Sequence, residues 1–152
     1  MENLFLLARI AGRTVAIDAE QVESVVDIGA ITPIPRTVAA IRGLAALRSK
    51  VVTVVDTRRA LNEASAPGRT RRAVITNVHG HPYALLVDAL DDIERLEPAP
   101  VDTGMAFDVA WRPLVTGLVE REGEPVPVVD LKGLIPVGAG GGDGNGAGAA
   151  VG

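Results

Sequence analysis

The sequence contains no cysteine, which excludes disulfides, thiolate metal sites and a cysteine nucleophile. Aromatics are scarce: Phe5, Tyr83, Phe107 and Trp111 are the whole set. Stacking platforms for single-stranded nucleic acid need more. Positive charge is not in excess either. Fifteen Lys and Arg face 19 Asp and Glu, for a net charge of −4 and a pI near 5.1. That balance argues against nucleic acid or an anionic membrane as the main partner. No apolar run approaches the roughly 18 residues of a membrane span. The short apolar stretch Leu4–Ala8 has no basic flank and no small-residue cleavage site. These absences read as a soluble, cytoplasmic protein without direct membrane insertion. Walker, Rossmann and serine-elbow patterns are missing as well, so no cofactor is expected.

What is present is an ordinary globular composition, 47% hydrophobic and 22% charged over 152 residues. That length fits one compact domain or two small fused ones. The composition changes at Gly138. Residues 138–152 hold eight of the 17 glycines and have almost nothing to bury, so they are expected to be a flexible tail behind a folded part of 1–137. The folded part reads as many short strands. Leu4–Ile10 and Thr14–Ile17 flank a three-residue loop, Ala11–Arg13. Val22–Ile28 is a further apolar segment. Val51–Val55 is almost purely β-branched, as in a strand buried on both faces. Ala73–Val78 and Tyr83–Val87 flank an Asn77–Pro82 turn, and Leu114–Glu120 and Val126–Val129 flank an Arg121–Pro125 loop. Thr37–Arg48 is ambiguous: Val38, Ile41, Ala45 and Arg48 stand at helical spacing, but Gly43 interrupts them.

The two halves, 1–68 and 69–137, repeat one another. Residues 43–61 match residues 117–135 at a constant shift of 74, which lays Val54-Val55-Asp56 over Val128-Val129-Asp130. Val15–Asp18 resembles Ala84–Asp88 at a shift of about 70. Halves of this size are too small to be comfortable alone, so they should share a core. Asp56 and Asp130 then recur as N-caps of a helical turn after a strand.

Candidate chemistry is thin. Asp102-Thr103-Gly104 has the core of the aspartic proteases, but it lies behind a proline-rich connector and has no second copy. His79 and His81 lack a nearby third ligand, so no metal is expected. Arg58, Arg59, Arg69, Arg71 and Arg72 gather around the 64–68 linker, either as a solvated connector or as a dock for an acidic partner.

Gly43-Leu44-x-x-Leu47-Arg48, followed by the Val51–Asp56 strand, resembles the central signature of the CheW-like domain. That family comprises chemotaxis coupling proteins and domains of CheA kinases. The likeness runs over about residues 3–136. It takes in Phe5 and Leu7, Val22-x-x-Val25, Pro33-Ile34-Pro35, Leu86-Val87-Asp88 and Val128–Leu131. Departures are Ala45-Ala46 for Ile-Asn, Ser49 for glycine, Thr53 for proline and Ser24 for a common glutamate.

The resemblance implies an all-β fold with short helical turns: two intertwined five-stranded SH3-like β-barrels sharing a hydrophobic core. It implies that Gly43–Leu47 is a strand after a short turn. It further implies a non-catalytic adaptor bridging chemoreceptor cytoplasmic tips to the regulatory domain of a CheA-type histidine kinase, at membrane-bound receptor arrays. An apolar groove between barrels would hold the receptor's helical hairpin. By position, Arg48 matches the family's signature arginine, either as a partner contact or as a brace between barrels. Val22, Ser24, Ile31 and Gly43 match segments where the family meets receptor or kinase; for Val22 and Ile31 the alternative is core packing, and for Gly43 a backbone requirement. Alternatives are a β-barrel interaction module with a single partner, and a dimeric aspartic-type hydrolase using Asp102.

Overall fold

The computed structural model describes residues 3–63, 71–99 and 107–136. Expectations for Asp102, Arg69 and the 138–152 tail fall outside the described residues. The strands are β1 (Asn3–Ile10), β2 (Arg13–Asp18), β3 (Ser24–Asp27), β4 (Ile41–Leu47), β5 (Lys50–Asp56), β6 (Arg72–Val78), β7 (His81–Leu86), β8 (Ala89–Leu96), β9 (Pro98–Ala99), β10 (Val115–Arg121) and β11 (Glu124–Val129). Helical structure among the described residues is confined to α1 (Thr57–Ala60) and two 3₁₀ turns, Ala19–Gln21 and Leu131–Leu134.

The hairpin turns are tighter than the sequence suggests. Pairing continues to Ile10↔Arg13, Val78↔His81 and Arg121↔Glu124. Only Ala11-Gly12, His79-Gly80 and Glu122-Gly123 are left as turns. Both residues of each pair have positive φ, between 52° and 81°. This geometry matches the right-handed twist of the flanking strands, so pairing extends through residues that composition alone assigns to loops. The ambiguous Thr37–Arg48 stretch is strand from Ile41. Alternate residues Ile41, Gly43 and Ala45 are buried, a period of two rather than 3.6.

The strands form two sheets, ordered β3-β6-β7-β5-β4 and β8-β1-β2-β11-β10-β9. Both close into barrels in the same way. After β3 the chain runs on to Thr32, which bridges Leu44 of β4. After β8 it runs on to β9, which pairs with β10. Gly43 makes the first closure possible: at φ +143°, an added Cβ would lie 2.1 Å from the Thr32 carbonyl oxygen.

Each barrel is composite. β1 and β2 join strands β8–β11 from the second half, while β6 and β7 join strands β3–β5 from the first. The parallel pairs β2–β11 and β5–β7 are equivalent: Ala16↔Val128 and Ile17↔Val129 in one, Ala84↔Val54 and Leu85↔Val55 in the other. The later strands therefore superpose at a shift of 74, as their sequences indicate. The hairpins β1–β2 and β6–β7 superpose at 68, so Asp18 corresponds to Leu86 rather than to Asp88.

The double barrel explains why so many strands are buried on both faces. One face of each strand fills its own barrel: Val52, Val54, Ile75, Ala84 and Leu86 in the first, Phe5, Leu7, Ala16, Val119 and Val126 in the second. The other face meets the opposite barrel in a shared core that includes Leu6, Ile10, Ile17, Val55, Val74, Leu85, Trp111 and Leu131. Val51 departs from the expectation of burial; it is 54% exposed where β5 leaves the turn. Near the second barrel, Arg13 lies over Trp111 at 5.3 Å and Phe107 at 5.5 Å.

Candidate functional site

The signature arginine sits at a hairpin tip. Arg48 and Ser49 connect β4 to β5, and both are exposed. Arg48 has φ +43°, a conformation that strains an L-residue by about 1–2 kcal/mol. Its guanidinium makes no hydrogen bond or ion pair among the described residues. Beside it, the Lys50 ammonium donates to Glu23 at 2.6 Å, tying the approach to β3 to this end of the first barrel. Ser24, exposed on β3, is brought to the same end. Val51 adds apolar surface there, paired across the strands with exposed Ala46. An unsatisfied arginine, a hydroxyl and a small apolar patch are suited to protein contact.

The other three expected site residues have different settings. Gly43 is buried at the barrel seam, and its want of a side chain serves the Thr32 approach. Ile31 packs against the first barrel's core, and its Cγ2 would be 3.0 Å from a Cβ at position 43. Val22 packs against the shared core and lines a cleft of about 610 Å³ between residues 20–23, residues 76–79 and Lys132.

Bracing between the barrels falls to Arg58 rather than Arg48. Arg58 Nε and Nη2 donate to the two oxygens of Asp88 at 3.1 and 2.9 Å. Asp88 Oδ2 also accepts from the Gly12 backbone N–H at 2.8 Å, in the turn of the other barrel. Hydrogen bonding to Asp88 raises the Arg58 pKa above its ordinary value, so the guanidinium stays charged at any physiological pH. The sequence pointed to a cluster of linker arginines but not to this partner, because Asp88 is 30 residues away. Arg72 pairs with Asp27 at 3.2 Å, and Arg71 donates to the Ile28 carbonyl at 3.2 Å. Arg58, Arg71 and Arg72 are thus tied to the fold, whereas the Arg59 guanidinium has no hydrogen bond or ion pair among the described residues.

The repeated aspartates are caps. Asp56 Oδ1 accepts from Arg58 N and Arg59 N, and Asp130 Oδ1 accepts from Lys132 N. Asp56 also receives Arg42 at 3.2 Å. Thr53 Oγ1 and His81 Nε2 are 2.9 Å apart, but no carboxylate orients the His81 ring among the described residues, so a base-activated hydroxyl is not assembled. No group of three His, Cys, Asp or Glu positioned for a metal occurs among the described residues. No helix among them is long and apolar enough to cross a membrane.

Two strand-exchanged SH3-like barrels around a shared core define a double-barrel domain of the chemotaxis scaffold type. The CheW-like domain model matches residues 4–138, and the chain belongs to that family. Among solved structures, the scaffolding protein TtCheW from Thermoanaerobacter tengcongensis is similar, with a TM-score of 0.74 and 24% sequence identity over 91% of each chain. Comparison with curated protein sequences finds no significant match.

Proposed function

We propose that the protein is a non-catalytic cytoplasmic adaptor that bridges the cytoplasmic tips of chemoreceptors to the regulatory domain of a CheA-type histidine kinase. The observation that carries this reading is the free, strained Arg48 at the tip of β4–β5, in the family's signature position. Side chains held in unfavourable backbone and left without an internal partner belong to contact surfaces more often than to packing. Two barrels give two faces, and holding two partners at once raises their effective concentration for one another. Ser24 stands beside Arg48 as a partner contact, and Val22 contributes through the cleft. Ile31 and Gly43 act on the contact surface from behind, by fixing the seam of the first barrel.

The test is a pair of titrations of the purified chain, one against a receptor signalling-tip fragment and one against a kinase regulatory domain from the same cell. Binding to both is expected. Arg48→Ala should weaken at least one of them roughly tenfold, the loss typical of one charged contact, with thermal stability unchanged. Binding to one alone would make the protein a single-partner module. Binding to neither, with the fold intact, would overturn the adaptor reading.

A further inference from the structure

The pseudo-two-fold relation between the barrels exposes one place where they differ. On one side β8 pairs with β1 as far as Ala8↔Leu90 and Arg9↔Ala89. The Asp88 N–H then donates to the Arg9 carbonyl at 2.8 Å, and its carboxylate binds Gly12 N–H and Arg58. On the equivalent side β3 pairs with β6 only as far as Ser24↔Ile75, with Glu23 N–H donating to the Ile75 carbonyl. Residues 19–21 turn away into a 3₁₀ turn held by Asp18. Shifts of 68 and 74 place Asn77 opposite Arg9, Gly80 opposite Gly12 and Lys132 opposite Arg58. Among the described residues, the strand position that Ala89 and Leu90 fill beside β1 is vacant beside β6, and the 610 Å³ cleft is that vacancy.

The groups lining the vacancy are those the filled side uses. Asn77 presents its main chain to the same edge as Ile75, whose carbonyl accepts from Glu23, and among the described residues no strand lies beside it there. Thr76 is only 4% exposed and lines the cleft; its hydroxyl has no hydrogen bond among the described residues. The Lys132 ammonium likewise has no ion pair among them. Of the acids nearby, Glu23 is bound to Lys50. Glu20, the counterpart of Asp88, makes no side-chain bond among the described residues.

We propose that this cleft binds an extended segment of a protein partner that carries a carboxylate, a small residue and an apolar residue in succession. The segment adds a short strand to β6, donates to the Asn77 carbonyl, and sets its carboxylate between Lys132 and the Gly80 N–H. Edge addition of this kind draws affinity from the main chain and specificity from alternate side chains. The chain's own Asp88-Ala89-Leu90 is the internal precedent for the occupant. This inference stands on the two-fold comparison and does not depend on the adaptor reading.

The test is a titration of the isotopically labelled full chain with a blocked peptide of its own residues 87–93, Val-Asp-Ala-Leu-Asp-Asp-Ile, followed by amide NMR shifts. Saturable shifts confined to Thr76–Gly80 and Lys132 are expected. Lys132→Glu, or Asn in place of the peptide's first Asp, should weaken binding roughly tenfold. Glu20→Gln should strengthen it by removing a like charge. Lys132 is exposed, so its variant should fold, and the altered peptide tests the carboxylate without touching the protein. The proposal is overturned by an absence of saturable shifts, by shifts at Arg9–Gly12 instead, or by equal affinity in Lys132→Glu. Concentration-dependent dimerisation that shifts the same residues without peptide would also overturn it, in favour of a second copy.

Discussion

Gly43→Ala tests how the first barrel closes. The added Cβ would stand 2.1 Å from the Thr32 oxygen and 2.7 Å from its carbonyl carbon, so backbone must move. Moving it strains or breaks two hydrogen bonds, Thr32 N–H to Leu44 O at 2.8 Å and Leu44 N–H to Thr32 O at 2.9 Å. Each is worth about 0.5–1.5 kcal/mol. A non-glycine residue at φ +143° adds about 1–3 kcal/mol of backbone strain. Together these give about 2–6 kcal/mol. For a chain of this size that is a fall in Tm of roughly 4–24 °C. Gly80→Ala is the control: φ is +81° with nothing within 4 Å of the new Cβ, so it should cost only the about 1–2 kcal/mol of left-handed backbone. Chemical denaturation with calorimetry would compare the two. If Gly43→Ala falls no further than Gly80→Ala, the close approach is not what fixes glycine at position 43.

Other substitutions separate bracing from contact. Asp88→Asn should destabilise by about 1–2 kcal/mol, with Arg58 only 25% and Asp88 18% exposed. A double-mutant cycle with Arg58→Ala should show strong coupling, partly screened by salt. Because the Arg58 pKa is raised, its contribution is present below the unfolded pKa and is lost only as pH rises through the folded one. Thermal melts between pH 6 and 9 should therefore show no loss traceable to Arg58. Arg48→Ala should leave stability within about 0.5 kcal/mol of the parent, and Arg48→Gly should raise stability by about 1 kcal/mol through relief of its φ. Asp56→Ala should cost about 1–2 kcal/mol, more than Asp130→Ala. Asp56 is 5% exposed and also holds Arg42, whereas the Asp130 carboxylate makes one cap bond among the described residues, in partly exposed surroundings.

Much of this architecture is legible in the chain. The 74-residue repeat marks β4–β5 and β10–β11 because their apolar runs and capping aspartates are alike. The strand exchange is reached only through the family resemblance, because hydrophobic alternation shows that a strand has two buried faces but not which partner covers each. The hairpin loops read too long, since Arg13, Pro82 and Pro125 look like turn residues and pairing runs through all three. Arg48 is found by its motif. Arg58 is not, because its role rests on a carboxylate across the barrel junction. The cleft by Val22 leaves no mark in the sequence at all; it arises where two related segments, 19–24 and 87–92, take different paths.

The adaptor account turns on simultaneous binding. Beads carrying a receptor signalling-tip fragment should retain a CheA-type kinase regulatory domain only when this protein is added, in near-equal amounts, and Arg48→Ala should reduce that retention with the fold intact. If the two partners compete for the protein instead, so that one displaces the other at saturation, it cannot bridge them and the central claim fails.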